Sequence, residues 1–323
     1  MRFYNIILSD PVTGVTRKQY SATLANGYAD TSALKVTFDI PFFNSSSPAG
    51  LAYIKIYGVN FQDIAEAIQL AGSNIIVVGG MNKGLPFANP EQQGLLLNGS
   101  VYQAFGNWQG NEISLDLIAA PAFGTNENPK NLSFSWQPGK TLKYLVTQVL
   151  NTAYPGVPVE GDFSHNLIPT ETVPGFYYNI RQFSDWVNKT SQDIIKDKSY
   201  LGAQITQTAR GFRLYDGSSA TTPVQLNFID FIGNATWTTI NAINFKLVLR
   251  GDLVVGDYIK MPPQSNVVNV ANSFTQFNDY TNFRNVFIIS RIRHLGDSRQ
   301  ASADNWCTVV DALLLPANNP VNQ

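Results

Sequence analysis

A chain of 323 residues, 44% of them hydrophobic, is long enough for two or three domains and apolar enough to bury sizeable cores, which excludes disorder for its bulk. Twenty-two Lys and Arg against 23 Asp and Glu leave a net charge of -1, without the basic excess on which tight DNA binding draws. Only 14% of the residues are charged, well below the usual quarter, and a charge near zero weakens colloidal repulsion, as suits a mainly β protein that belongs to an assembly.

The run from Met1 to Leu8 carries one cation and soon meets Pro11 and Gly14. It is too short for a signal-peptide core and reads as a first strand and turn, so synthesis in the cytoplasm of a host cell is the expectation. No window approaches eighteen uninterrupted apolar residues, so no membrane span is expected. From residue 1 to about 125 short apolar runs alternate with turn signals: Lys35 to Phe43, Tyr53 to Val59, Asn74 to Val78, Gly94 to Phe105 and Ile113 to Ala119. This spacing predicts an all-β domain, a barrel or sandwich. Inside it, Asn60 with Asp63 marks a short helix whose stripe is Ile64, Ala67 and Ile68. Gly79 to Pro90 holds too many breakers for regular structure and reads as an exposed loop.

Between about 126 and 215 the texture changes. Thr141 caps a helix with Leu142, Leu145, Val146, Val149 and Leu150 at helical spacing. A second helix starts near Asn179 with Gln182 three residues on, and Gly202–Thr208 with Gly211–Tyr215 reads as a hairpin, making an α+β module. From about 216 strands return: Val224 to Phe231, Ala242 to Leu249 and Leu253 to Met261, then a long connection from Gln264 to Asn285. The chain closes on a hairpin, Phe287–His294 and Trp306–Leu313, with a decorated turn. Period two places Val286, Ile288, Ile292 and His294 on one face and Phe287, Ile289, Arg291 and Arg293 on the other.

Candidate chemistry is sparse. His165 and His294 are the only histidines and fall in different modules, so neither a zinc site nor a histidine triad assembles from the sequence. His294 is expected to bond within its own turn. Cys307, the only cysteine, excludes an intrachain disulfide and reads as a core thiol. Asp252 and Asp257 bracket one run beside glycines, where aspartate stabilises a turn. Arg250-Gly251-Asp252 is a short match whose meaning depends on exposure. Nucleotide-binding loops and hydrolase elbows are absent. No catalytic, cofactor-binding or metal residue is therefore assigned, and no enzyme is expected. The aromatics Phe105, Trp108, Trp136, Tyr177, Tyr178, Trp186, Trp237 and Trp306 are read mostly as core, with subunit anchoring ahead of sugar binding.

Four segments taken in order resemble phage baseplate hub proteins, the tail tube to spike adaptors of contractile-tailed phages. They are Gly80-Met81-x-Lys83-Gly84-Leu85-Pro86-x-Ala88-Asn89-Pro90 with Gly99-Ser100-Val101-Tyr102-Gln103-Ala104-Phe105-Gly106-Asn107-Trp108, the helix-bearing middle, Leu253 to Pro262, and the closing hairpin. The resemblance implies two tail-tube-like β-barrel domains, residues 1–125 and 216–323, flanking a small helix-containing domain, 126–215. It further implies a homotrimeric, pseudo-six-fold ring in the virion. Its partners would be the tail tube protein, the central spike and baseplate wedge or tape measure proteins, and DNA would pass through the centre. A carbohydrate-binding or carbohydrate-cleaving tail protein is the alternative, needing an exposed aromatic platform beside carboxylates; a hub or spike component of a related secretion system is the third reading.

Overall fold

The computed structural model describes residues 2–43, 50–82, 89–121, 131–164, 166–198, 200–217, 222–262, 269–270, 283 and 286–315. Positions 83–88 of the expected loop, and most of the connection from Gln264 to Asn285, lie outside them. In the first region β1 (Arg2–Ser9) buries Tyr4, Ile6 and Leu8. It turns at Asp10, whose carboxylate accepts the N–H groups of Val12 (3.0 Å) and Thr13 (2.9 Å), into β2 (Thr16–Ser21). β3 (Lys35–Phe43) alternates strictly, with Val36, Phe38, Ile40 and Phe42 inward, and β4 (Ala52–Tyr57) follows.

Asn60 caps α1 (Phe61–Ala65) by accepting the Asp63 N–H at 2.7 Å, as its spacing predicts. The stripe does not continue as expected, because a 3-10 turn over Ala67–Leu70 buries Ala67 and Leu70 and leaves Ile68 77% exposed. Three residues per turn in place of 3.6 rotate each successive side chain by about 20° more than an α-helix does. β5 (Asn74–Met81), β6 (Gly94–Gln109) and β7 (Glu112–Pro121) complete the region. β5 takes in Gly79 and Gly80, which read as loop in the sequence. A Cβ on Gly79 would sit 2.6 Å from Leu96, so that glycine admits a core leucine instead of ending the strand.

The middle comprises β8 (Leu132–Trp136), α2 (Leu142–Ala153), β9 (Val159–Gly161), β10 (Val173–Tyr177), α3 (Ile180–Ile195), β11 (Gln204–Thr208) and β12 (Gly211–Tyr215). The five residues of the α2 stripe are the five it buries, and Thr141 Oγ1 accepts the Tyr144 N–H at 3.3 Å. α3 opens on a reciprocal cap: Asn179 accepts the Gln182 N–H (3.0 Å) and the Gln182 side chain accepts the Tyr178 N–H (3.2 Å). β8 pairs with β10, and β12 lies between β11 and β9.

The last region contains β13 (Val224–Gln225), β14 (Thr236–Thr239), β15 (Ala242–Val248), β16 (Tyr258–Lys260), β17 (Asn269–Val270), β18 (Val286–Asp297) and β19 (Trp306–Leu314). Two expected strands shrink. After Gln225 a 3-10 turn at Phe228–Asp230 carries Asp230 inward. Before Tyr258, Asp257 accepts the Val254 N–H at 2.8 Å and Gly256 takes φ +89°, closing a turn.

Among the described residues β1–β7 and β13–β19 join in one 14-stranded sheet, so each side of the middle module contributes seven strands. Its main path, β17-β14-β15-β19-β18-β3-β4-β7-β6-β5-β1-β2, is open, with β16 pairing both β18 and β13. The fold is mainly β with an α+β module, but neither half closes into a barrel among the described residues. The edge of β3 that closure would use is taken by β18. One apolar core from Tyr4 to Leu315 runs beneath both halves, while a second, including Leu132, Leu150, Phe183 and Leu214, belongs to the middle module.

Candidate functional site

β18 holds the two halves together. One edge pairs with β19 along its length; the other meets β16 at Val286–Ile288 and then β3 at Arg291–Asp297. Val286 to Ile289 are buried on both faces, whereas beyond them only Ile292, His294 and Gly296 point inward. A register shift between Ile289 and Arg291 explains the change and corrects the period-two assignment: Ile289 stands opposite Ala312 and Arg291 opposite Asp311, so the two lie on opposite faces.

Beyond that bulge the outward face is continuous across β4, β3, β18, β19 and β15, because directly opposed residues of antiparallel strands share a side. It carries five cation–carboxylate pairs: Lys55–Asp116 (3.6 Å), Lys35–Asp297 (3.4 Å), Arg293–Asp39 (2.5 Å), Arg291–Asp311 (3.9 Å) and Lys246–Asp304 (2.9 Å). Lys35 and Lys55 also sit over the Tyr57 ring, at 4.7 and 5.2 Å, and Arg291 over Phe43 at 4.6 Å. Each of these five cations is thus already matched by an acid.

Behind the face lies a polar seam. Arg250, 5% exposed, donates to Asp252 in a bidentate fork (3.0 and 2.6 Å) and to buried Asp230 (3.2 Å). Burial alone would lower the guanidinium pKa, but the carboxylates of Asp252, Asp230 and Asp257 outweigh it and raise it. The Arg250 N–H donates to Thr308 Oγ1 (2.9 Å), which also lies 3.0 Å from His294 Nδ1. Trp306 Nε1 donates to the Gly80 carbonyl at 2.9 Å, and Arg2 clasps the carbonyls of Asp297, Gln300 and Ser302, so the decorated turn is docked on the first region.

Two glycines meet where the halves face each other: a Cβ on Gly94 would lie 2.5 Å from the Gly251 carbonyl oxygen, and one on Gly251 would lie 2.6 Å from the Gly94 carbonyl carbon. Backbone cannot swing aside as a side chain can. Gly94→Ala is therefore expected to lower stability by roughly 1–3 kcal/mol through overpacking, and an unchanged thermal midpoint would show that the seam tolerates separation.

The candidate residues distribute as follows. His165 lies outside the described residues. His294 bonds Thr308, its cross-strand partner, and not its own turn, because β18 continues past it to Asp297. Burial pushes its pKa down to about 4, with Asp252 opposing. The Cys307 thiol is buried and pushed up to about 11, mainly by that burial, which keeps it protonated. Asp252 and Asp257 take different partners, Arg250 and Arg213 (2.7 Å), the latter tying β12 to the sheet. Asp252 thus departs from the turn role expected of it, and the buried Arg250 removes Arg250-Gly251-Asp252 from display.

Trp136, Trp237 and Trp306 are core. Tyr177 and Trp186 pack with Phe134 and Phe183 inside the middle module, whereas Phe105, Trp108 and Tyr178 are exposed. Trp108 meets Phe61 edge-on at 5.3 Å, a pairing the sequence hid because Phe61 sits on a different element. Among the described residues no group of three or more His, Cys, Asp or Glu could hold a metal ion, and no helix is long and apolar enough to cross a membrane.

No protein-family model matches the sequence, and no curated protein matches it. Solved structures do match the fold. The 43 kDa tail protein of prophage MuSo2 from Shewanella oneidensis superposes with a TM-score of 0.52 at 8% identity, over 97% of this chain and 98% of that one. The tail protein from Neisseria meningitidis MC58 gives 0.51 at 8% identity, over 99% and 98%. The E. coli c3393 protein gives 0.51 at 10% identity, over 91% of this chain and 78% of its own. It is described as a component of the type VI secretion system with structural similarity to T4 bacteriophage tail proteins gp27 and gp5. The fold is therefore that of the tail proteins the sequence resembles.

Proposed function

We propose that this chain is a structural baseplate hub of a contractile phage tail, with no catalysis of its own. Three copies form a pseudo-six-fold ring between tail tube and central spike, in contact with wedge or tape measure proteins, and leave a channel for tape measure and DNA. The observation that carries this reading is the composite sheet, to which each half of the chain gives seven strands. A six-fold tube cannot meet a three-fold spike through identical contacts, but a chain with two comparable β units, here residues 1–125 and 216–323, turns three subunits into six quasi-equivalent ones.

The charge-paired face supports the passage of DNA. Phosphate binding draws on cations free to replace counterions, and on this face Lys35, Lys55, Lys246, Arg291 and Arg293 are all held by aspartates. β2, which pairs only with β1 among the described residues, offers an edge for the neighbouring subunit. The purified protein is expected to sediment as a trimer of the 35.6 kDa chain and to appear as a ring by electron microscopy. A strictly monomeric species at high concentration overturns the reading. The likeness to the E. coli secretion component favours a second reading, a hub in a secretion-system spike; locating the protein by microscopy in purified virions separates the two.

A further inference from the structure

The middle module carries an open cleft of about 210 Å³ between the end of β8 and the first turns of α2. Its floor is apolar, formed by buried Trp136 and Leu145. Its walls are not: Ser135 and Gln137 line one side, and Tyr144 and Gln148, four residues apart on α2, line the other. None of these four side chains makes a hydrogen bond to another described residue, so four polar groups converge uncommitted on one space. At the rim the Lys140 ammonium lies 4.8 Å from the centre of the Tyr144 ring, while the Lys140 carbonyl accepts the Trp136 indole N–H at 2.8 Å, which fixes the turn that carries the cation.

We infer that this cleft binds one residue of an acidic saccharide. Amide and hydroxyl groups that both donate and accept match sugar hydroxyls. The volume suits a single ring and not a nucleotide or peptide, and the ammonium selects a carboxylate substituent. Among the described residues no carboxylate lines the cleft, so they do not supply the pair that glycoside cleavage requires, and the role assigned is recognition without cutting. The argument for the hub does not use this cleft, so the hub reading stands or falls separately.

Calorimetric titration of the intact protein with glucuronate, glucose and acetate at equal ionic strength tests the assignment. Glucuronate is expected to bind saturably, glucose about tenfold more weakly for want of the charge-assisted contact, and acetate not measurably. K140Q should bring glucuronate down to the glucose level, and Q137A/Q148A should weaken both sugars while leaving the thermal midpoint in place, since Lys140, Gln137 and Gln148 are exposed. Equal affinity for glucose and glucuronate, binding that survives both substitutions, or no saturable binding overturns the inference.

Discussion

Replacing Arg250 by methionine is expected to destabilise the protein by about 3–5 kcal/mol, the usual cost of removing one partner of a buried ion pair. Methionine restores most of the aliphatic volume, so the loss is electrostatic. Asp230, itself buried, loses the guanidinium 3.2 Å away, and Asp252 loses its bidentate fork. Chemical denaturation followed by tryptophan fluorescence measures the change. Adding Asp230→Asn removes the stranded charge and should recover part of the stability, a coupling that a purely steric effect would not produce. Equal denaturation midpoints for wild type and R250M would mean that the seam is held by packing alone.

Acidification from pH 6.5 to about 4 is expected to cost roughly 3 kcal/mol through His294 alone. Burial holds its folded pKa at about 4, below the ordinary value of 6.5. Between those values the unfolded chain binds a proton that the folded one refuses, so stability is full above pH 6.5, falls as pH drops, and levels off below the folded pKa. Among the described residues Asp252 is the group that favours the charged ring, and Arg250 already engages it; Phe42 lies edge-on at 6.3 Å and Thr308 Oγ1 at 3.0 Å. Asp257 works against the trend, since burial raises its pKa and favours uptake of a proton in the fold. H294Q keeps an amide facing Thr308 and does not titrate. Comparing its denaturation midpoints with wild type across this range isolates the histidine, and identical pH profiles would show that His294 is not the sensitive group.

These effects lie at places that the sequence showed only in part. The caps at Asn60, Thr141 and Asn179, the α2 stripe and the alternation of β3 were legible because each is fixed by residues within a few positions of one another. The short strands β8, β9 and β10 were not, having too few residues for a period to stand out from the background. Val224–Phe231 and Leu253–Met261 carried strand-like composition yet paired over only two and three residues. Asp230 was drawn inward to Arg250, and Asp257 folded its own turn around Val254.

The closing hairpin divides the two kinds of information most clearly. Its existence and its two strands were determined by the sequence alone, since alternation and turn residues act locally, whereas the bulge that reassigns its faces was not. That β18 pairs β16 at one end and β3 at the other, that Trp306 reaches Gly80 and Arg2 clasps the turn, and that the cleft beside α2 gathers four polar side chains were decided only by the tertiary structure. The physical reason is that a strand edge presents the same N–H and C=O groups whatever its side chains. Which edges meet is settled by how two cores pack together, and no local pattern records it.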